Sequence, residues 1–246
     1  MKDIFAVSSE SELRHYQTIA GHIREKLNTY LESIIKEYAV TDLPRAILWT
    51  CEENATKLIS DIPVPAYTND YRTIFCPDLE VWQKIYLKQL DILPDEDAKR
   101  YYMTRLTEDN MLQILGHEFV HHSDLFLEGT YEKGIWFEEG MCEYISRKYF
   151  LTETEFAEEA WINERLVDLY QQKFGKRSLE AFGADTYKDG YADIFHGYWS
   201  SFLAVKDIID RFGGNVMEVF REYQRWFDSN SDLSLSEWFG IKTRTS

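Results

Sequence analysis

Apolar residues recur at helical spacing near the start of the chain. Leu13, Ile19, Ile23, Leu27, Leu31, Ile34 and Ile35 share a face and Ser9 or Ser11 can cap it, so residues 9–38 are predicted as one long helix. After Pro44 the pattern changes. AILWT (46–50) has the continuous apolar character of a buried strand, and YRTIFC (71–76) reads as another. Between them DIPVPAYTND is rich in turn formers, with Pro63, Pro65 and the pair Asn69-Asp70. From Asp78 onward the spacing is again helical. Asp78 can cap LEVWQKIYLKQL, Pro94 opens a second segment through Leu106, and Thr107 followed by Glu108 and Asp109 starts a third. Further helices are predicted at about 136–150, 153–174, 194–212, 215–228 and 235–239, with Gly213-Gly214 and Gly240 as stops. Residues 176–190 are the least periodic stretch and are expected to form a mobile loop. The fold class expected is α+β, mainly helical, with a small mixed sheet at about residues 45–76. Residues 1–42 are expected to form a helical segment packed on the main domain, residues 43–246, the whole making one compact unit.

Composition narrows the partners more than the fold. The 246 residues are 44% hydrophobic and 28% charged, a globular balance, and the net charge is −16. So acidic a chain is poorly suited to the phosphate backbone of nucleic acid. Three cysteines, Cys51, Cys76 and Cys142, with no CxxC spacing do not make a disulfide framework. No stretch approaches the roughly 18 apolar residues of a membrane span, and the first residues lack a basic then apolar leader. The expectation is a cytoplasmic protein that binds neither membrane nor nucleic acid.

The chemistry is concentrated in GHEFVHHSDLFLEGTYEKGIWFEEGMCEY, residues 116–144. His117 and His121 are four apart, so on a helix they lie one turn apart on one face. Two neutral imidazoles so placed can bind one Zn²⁺ at about 2.0–2.1 Å each. Glu118, beside that face, can take a proton from an attacking water and pass it to a leaving amine. His122 points to a different face and is expected to be a polar core or rim residue. A catalytic zinc needs a third protein ligand. WFEEGMCEY offers Glu138 and Glu139, and Glu139 shares a face with Glu143. One carboxylate can ligate and another can hold the ring N–H of a ligand histidine. Gly140 would let this helix pack closely on the histidine helix.

HEFVH followed by WFEEG resembles the gluzincin metallopeptidases, the thermolysin-like and aminopeptidase-like group. In them HExxH is followed by a connecting segment and a helix that bears the third ligand. The resemblance is strong over 112–145 and weaker over the rest of 45–241. It implies a zincin helical domain after the sheet, a catalytic domain at 43–246, and one Zn²⁺ held by His117, His121 and Glu139. Glu118 becomes the general base, Glu143 the residue supporting a histidine, and Glu138 a neighbour without a role. A donor to the developing oxyanion is also required. The helix FHGYWSSFLAVKDIIDRFGG presents His196 and Tyr198 at its start. Matching the family's tyrosine-bearing helix back from Phe212-Gly213 favours Tyr198, with His196 as the alternative and Tyr187 and Tyr191 as weaker candidates. The family also binds its substrate backbone along an edge strand. AYTNDYRTIFC resembles that strand, which makes Tyr67, Thr68, Asn69 and Tyr71 the expected substrate-binding residues. The GxMEN-type stretch with which the aminopeptidases read a substrate's amino terminus is missing. These residues together imply a zinc metallopeptidase acting on a peptide or protein. The alternative is a non-catalytic zincin-fold module that binds peptides or proteins.

Overall fold

A computed structural model of the protein describes residues 1–127, 131–188 and 190–241. Glu128, Gly129 and Thr130 of the connecting segment, and Asp189 of the aperiodic stretch, lie outside the described residues. The fold is mainly helical with one four-stranded mixed sheet, as the α+β expectation has it. The chain divides into two compact units. One contains Met1–Asp124 and Ile145–Phe156, the other Leu125–Tyr144 and Ala157–Ser246.

The first unit holds the sheet. Strand β1 (Lys2–Ala6) pairs in parallel with β2 (Ala46–Thr50), and β2 pairs in parallel with β4 (Arg72–Phe75). Strand β3 (Ala66–Asn69) runs antiparallel to β4, so the order is β1-β2-β4-β3. The AILWT strand and the 69–72 hairpin follow the apolar pattern. Strand β1 is an addition to the expected architecture. It is an edge strand with three of its five residues exposed, so no alternation marks it. It is held by the Trp49 indole N–H, which donates to Asp3 Oδ1 at 2.8 Å. Residues 2–6 therefore share one sheet with the strands after residue 42.

Helix α1 (Glu10–Glu37) connects β1 to β2, and the Ser9 hydroxyl caps it by accepting from the Glu12 N–H at 3.1 Å. Its buried face is Tyr16, Ala20, Ile23, Leu27, Tyr30, Leu31 and Ile34, while Ile35 is exposed. Tyrosines thus replace two of the expected aliphatic positions, because a phenol can bury its ring and keep its hydroxyl bonded. The Tyr16 hydroxyl donates to Asp78 Oδ2 at 2.8 Å, and Tyr30 donates to the Gly116 carbonyl at 3.1 Å. Asp78 stands at the cap position of α2 (Leu79–Gln89) as predicted, but its carboxylate serves α1 rather than the α2 backbone. Helix α3 (Glu96–Thr104) follows, capped by Asp95. Helix α4 (Glu108–Val120) then starts at Thr107, whose N–H donates to Asn110 Oδ1 at 2.8 Å. The three cysteines are free, and burial pushes the Cys76 thiol up to about 12.

The second unit is built on helices. Helix α5 (Tyr131–Phe150) passes from this unit into the first, with a non-helical Gly134 near its start. Helix α6 (Glu153–Phe174) is followed by α7 (Tyr191–Arg211), α8 (Val216–Asp228) and the short α9 (Leu235–Trp238). Phe137 of α5 stacks on Tyr223 of α8 and on Phe239, with ring centroids 4.5 and 5.6 Å apart. Gly213, Gly214 and Gly240 have φ of 66°, 82° and 62°, the left-handed conformation that stops a helix. The aperiodic segment contains two 3₁₀ turns, Leu179–Ala181 and Ala184–Lys188. Among the described residues no helix is long and apolar enough to cross a membrane.

Candidate functional site

The two halves of the 116–144 pattern belong to different units. In the first unit α4 is buried on nearly every side from Asn110 to Val120, which is why its sequence reads as apolar with a few polar interruptions. Two of those interruptions are His117 and Glu118, 4% and 7% exposed. Gly116 stands just before them. A Cβ there would meet the rings of Phe150 and Tyr30 at 2.8 and 2.9 Å, so the glycine admits a layer of aromatics against the helix. His121 ends the helix as its C-cap residue, and its Nε2 lies 3.1 Å from His117 Nε2. The two imidazoles therefore direct the same ring atom toward one point. Two ligands of a tetrahedral zinc, each at about 2.05 Å, would be about 3.3 Å apart. The donor set and its spacing fit that ion.

His122 is no part of this pair. Its Nε2 lies 2.8 Å from Thr68 Oγ1, and burial, with His121 next to it, lowers its pKa. It is half-buried, on a different face from the pair, and it ties the end of the histidine helix to β3. That strand is an edge of the sheet. Of the expected substrate-binding residues, Thr68 is the one bonded to the histidine segment. Tyr67 donates to the Ala55 carbonyl at 3.0 Å. Asn69 Oδ1 accepts from the Tyr71 and Arg72 N–H groups and closes the hairpin. Tyr71 lies in the turn, 62% exposed, with the Arg45 guanidinium over its ring.

In the second unit Glu139, Cys142 and Glu143 are buried on α5, while Glu138 is half-buried. Gly140 does bring α5 close to a neighbour, and within this unit that neighbour is α7. A Cβ at Gly140 would lie 2.5 Å from the Ser201 carbonyl oxygen. The approach sets Glu139 near the α7 tyrosine. The Tyr187 hydroxyl donates to Glu139 Oε1 at 3.3 Å and lies 2.8 Å from the Tyr198 hydroxyl. Tyr187, a weak candidate by sequence, thus stands between the two residues that the resemblance favours. Its segment has no periodicity, so no sequence signal separated it from the other 15 tyrosines.

His196 has a different setting from Tyr198. Helix α7 begins at Tyr191, so neither residue is at its start, and two residues of separation put them on nearly opposite faces. The His196 ring stacks on Tyr170 at 3.9 Å, and its Nε2 is 3.3 Å from Ser200 Oγ. Burial and the nearby Arg177 lower its pKa to about 4, against the opposing pull of Asp193, so at neutral pH it is an uncharged core histidine. The structure thus separates it from the Glu139–Tyr187–Tyr198 group. Tyr191 packs on Phe195, with ring centroids 6.5 Å apart.

His117, His121 and Cys142 form a group of donors that could hold a metal ion. The group includes Cys142, to which the sequence assigned no task, and not Glu139, which is three residues earlier on α5 and so on the same helix face. The protein is an α+β chain, mainly helical, with a candidate metal site. No protein-family model, curated protein or solved structure matches the chain.

Proposed function

We propose that the protein is a zinc-dependent metallopeptidase of the gluzincin type, acting on peptides or proteins in the cytoplasm. The observation that carries this reading is the pair of Nε2 atoms 3.1 Å apart, with the buried Glu118 beside the first histidine. His117, His121 and Glu139 would hold the ion, with Cys142 as the competing third donor. Zinc bound there supplies Lewis-acid polarisation of a carbonyl and lowers the pKa of a coordinated water toward 7. Glu118 accepts the proton of the attacking water and delivers it to the leaving amine. Tyr198 donates its hydroxyl proton to the oxygen on which charge develops. Glu143, one turn after Glu139, holds a ligand imidazole by its second ring nitrogen. The free side of β3 pairs with the substrate backbone, and the bond from Thr68 to His122 keeps that strand in register with the histidine helix.

Metal analysis of the purified protein, with hydrolysis of a mixed peptide library, tests the proposal. One zinc per chain is expected, with cleavage that a chelator abolishes and zinc restores. Zinc binding accompanied by tight peptide binding and no cleavage would instead establish the non-catalytic module.

A further inference from the structure

The segment from Arg177 to Lys188 is fastened along α7. At its start Arg177 forms an ion pair with Asp193, N···O 2.9 Å. In the middle the Phe182 ring presses on Gly197, where a Cβ would come within 2.7 Å of it, and Glu180 accepts from the Ser236 N–H of α9 at 3.2 Å. Near its end Tyr187 meets Tyr198. Phe182 also packs edge-on against Tyr198, with centroids 5.3 Å apart. A stretch with no helical or strand period is therefore held at successive points, and the last one delivers a hydroxyl to the predicted oxyanion donor.

Proton counting sets the direction of the bonds. A phenol has one proton, and a carboxylate oxygen only accepts. The Tyr187 proton goes to Glu139 Oε1, so Tyr198 donates to Tyr187. The chain runs Tyr198 to Tyr187 to Glu139. We infer that Tyr187 is a positioning residue that orients the Glu139 carboxylate for metal binding and holds the Tyr198 hydroxyl until its proton turns to the substrate oxyanion. This rests on the metallopeptidase reading above, in which Glu139 is a ligand and Tyr198 the donor.

The test is zinc affinity, measured by competition with a chromophoric chelator, for wild type, Tyr187→Phe, Glu139→Gln and the double variant. Removing a group that orients a ligand typically weakens a metal site about 10–100-fold. Tyr187→Phe is expected to fall in that range, and to add nothing further in the Glu139→Gln background, because its effect passes through that carboxylate. With the library as substrate it should lower kcat more than it raises KM, since Tyr198 acts on the transition state. Equal zinc affinity in wild type and Tyr187→Phe overturns the inference alone, as does a Tyr187→Phe loss undiminished by Glu139→Gln. A wild-type chain that binds no zinc overturns the metallopeptidase reading with it. Melting curves of the metal-free proteins report whether Tyr187→Phe folds. If it does not, Arg177→Gln frees the start of the segment with every hydroxyl kept. Weaker zinc binding there supports the inference, and unchanged binding overturns it.

Discussion

In α4 the side chains proposed for chemistry are placed by the period of one continuous helix, whereas the segment from Arg177 to Lys188 reaches Tyr198 by contacts with no period at all. His117 and His121 converge because four residues make one turn, and nothing else need be known to predict it. Tyr187 meets Tyr198 and Glu139 because an ion pair, a ring lying on a glycine and a close approach of two helices happen to bring three remote residues together. A regular element transmits position through its own hydrogen bonds. An irregular one borrows position from its neighbours. The first should tolerate damage nearby that the second does not.

The largest effect expected is at the residue that α4 places. Glu118→Gln keeps the shape of the side chain and removes its basicity. Turnover should fall about 10²–10⁴-fold with zinc content unchanged. Unchanged hydrolysis in a zinc-loaded variant would mean that the helix does not carry the base.

The next concerns the far side of α7. The folded pKa of His196 is lowered to about 4, below its unfolded value near 6.5. The unfolded chain therefore takes up this proton first as pH falls. The stability of neutral His196 is complete above pH ~6.5 and is lost between there and pH 4, amounting to about 3 kcal/mol. Denaturant titrations across that window should show the slope, and His196→Phe, which can keep the stack on Tyr170, should flatten it. A slope that survives the substitution would assign it to other groups.

The smallest expected effect is the most discriminating. Gly116 and Gly197 are both pressed by aromatic rings, with hypothetical Cβ contacts of 2.8 and 2.7 Å. Alanine at either should cost about 1–3 kcal/mol through overpacking, less a gain of up to ~1 kcal/mol in helix propensity. Urea unfolding measures that. The two should part in zinc affinity. Gly116→Ala leaves the i, i+4 geometry of the histidines intact, while Gly197→Ala displaces Phe182 and with it the segment carrying Tyr187. Equal zinc affinity in the two variants would erase the contrast.

Much of this architecture is visible in the order of residues. The Asn69-Asp70 hairpin, the cap at Ser9, the start of α4 at Thr107 and the glycine stops depend on interactions within a few residues, and the AILWT strand shows as a continuous apolar run. Strand β1 was not visible, because a half-exposed edge strand has neither a continuous apolar run nor strict alternation. Among the candidate site residues, the shared face of the histidine pair and the different face of His122 were legible from helical spacing alone. Tyr187 was not, and the sequence does not distinguish His196, stacked on Tyr170, from an oxyanion donor. The glycine after Glu139 was expected to admit the histidine helix; the close approach that Gly140 makes within its unit is to α7, a partner no spacing in the sequence names.

The sequence alone determined the helical frame, the β2 and β4 strands, and two histidines one turn apart with a carboxylate beside them. Those follow from backbone periods and short-range capping, which act over one or two turns. Tertiary structure decided which tyrosine touches Glu139 and which side of α7 holds His196. Such contacts join residues tens of positions apart, and no local free energy encodes them. They exist only once the burial of many side chains has chosen one packing.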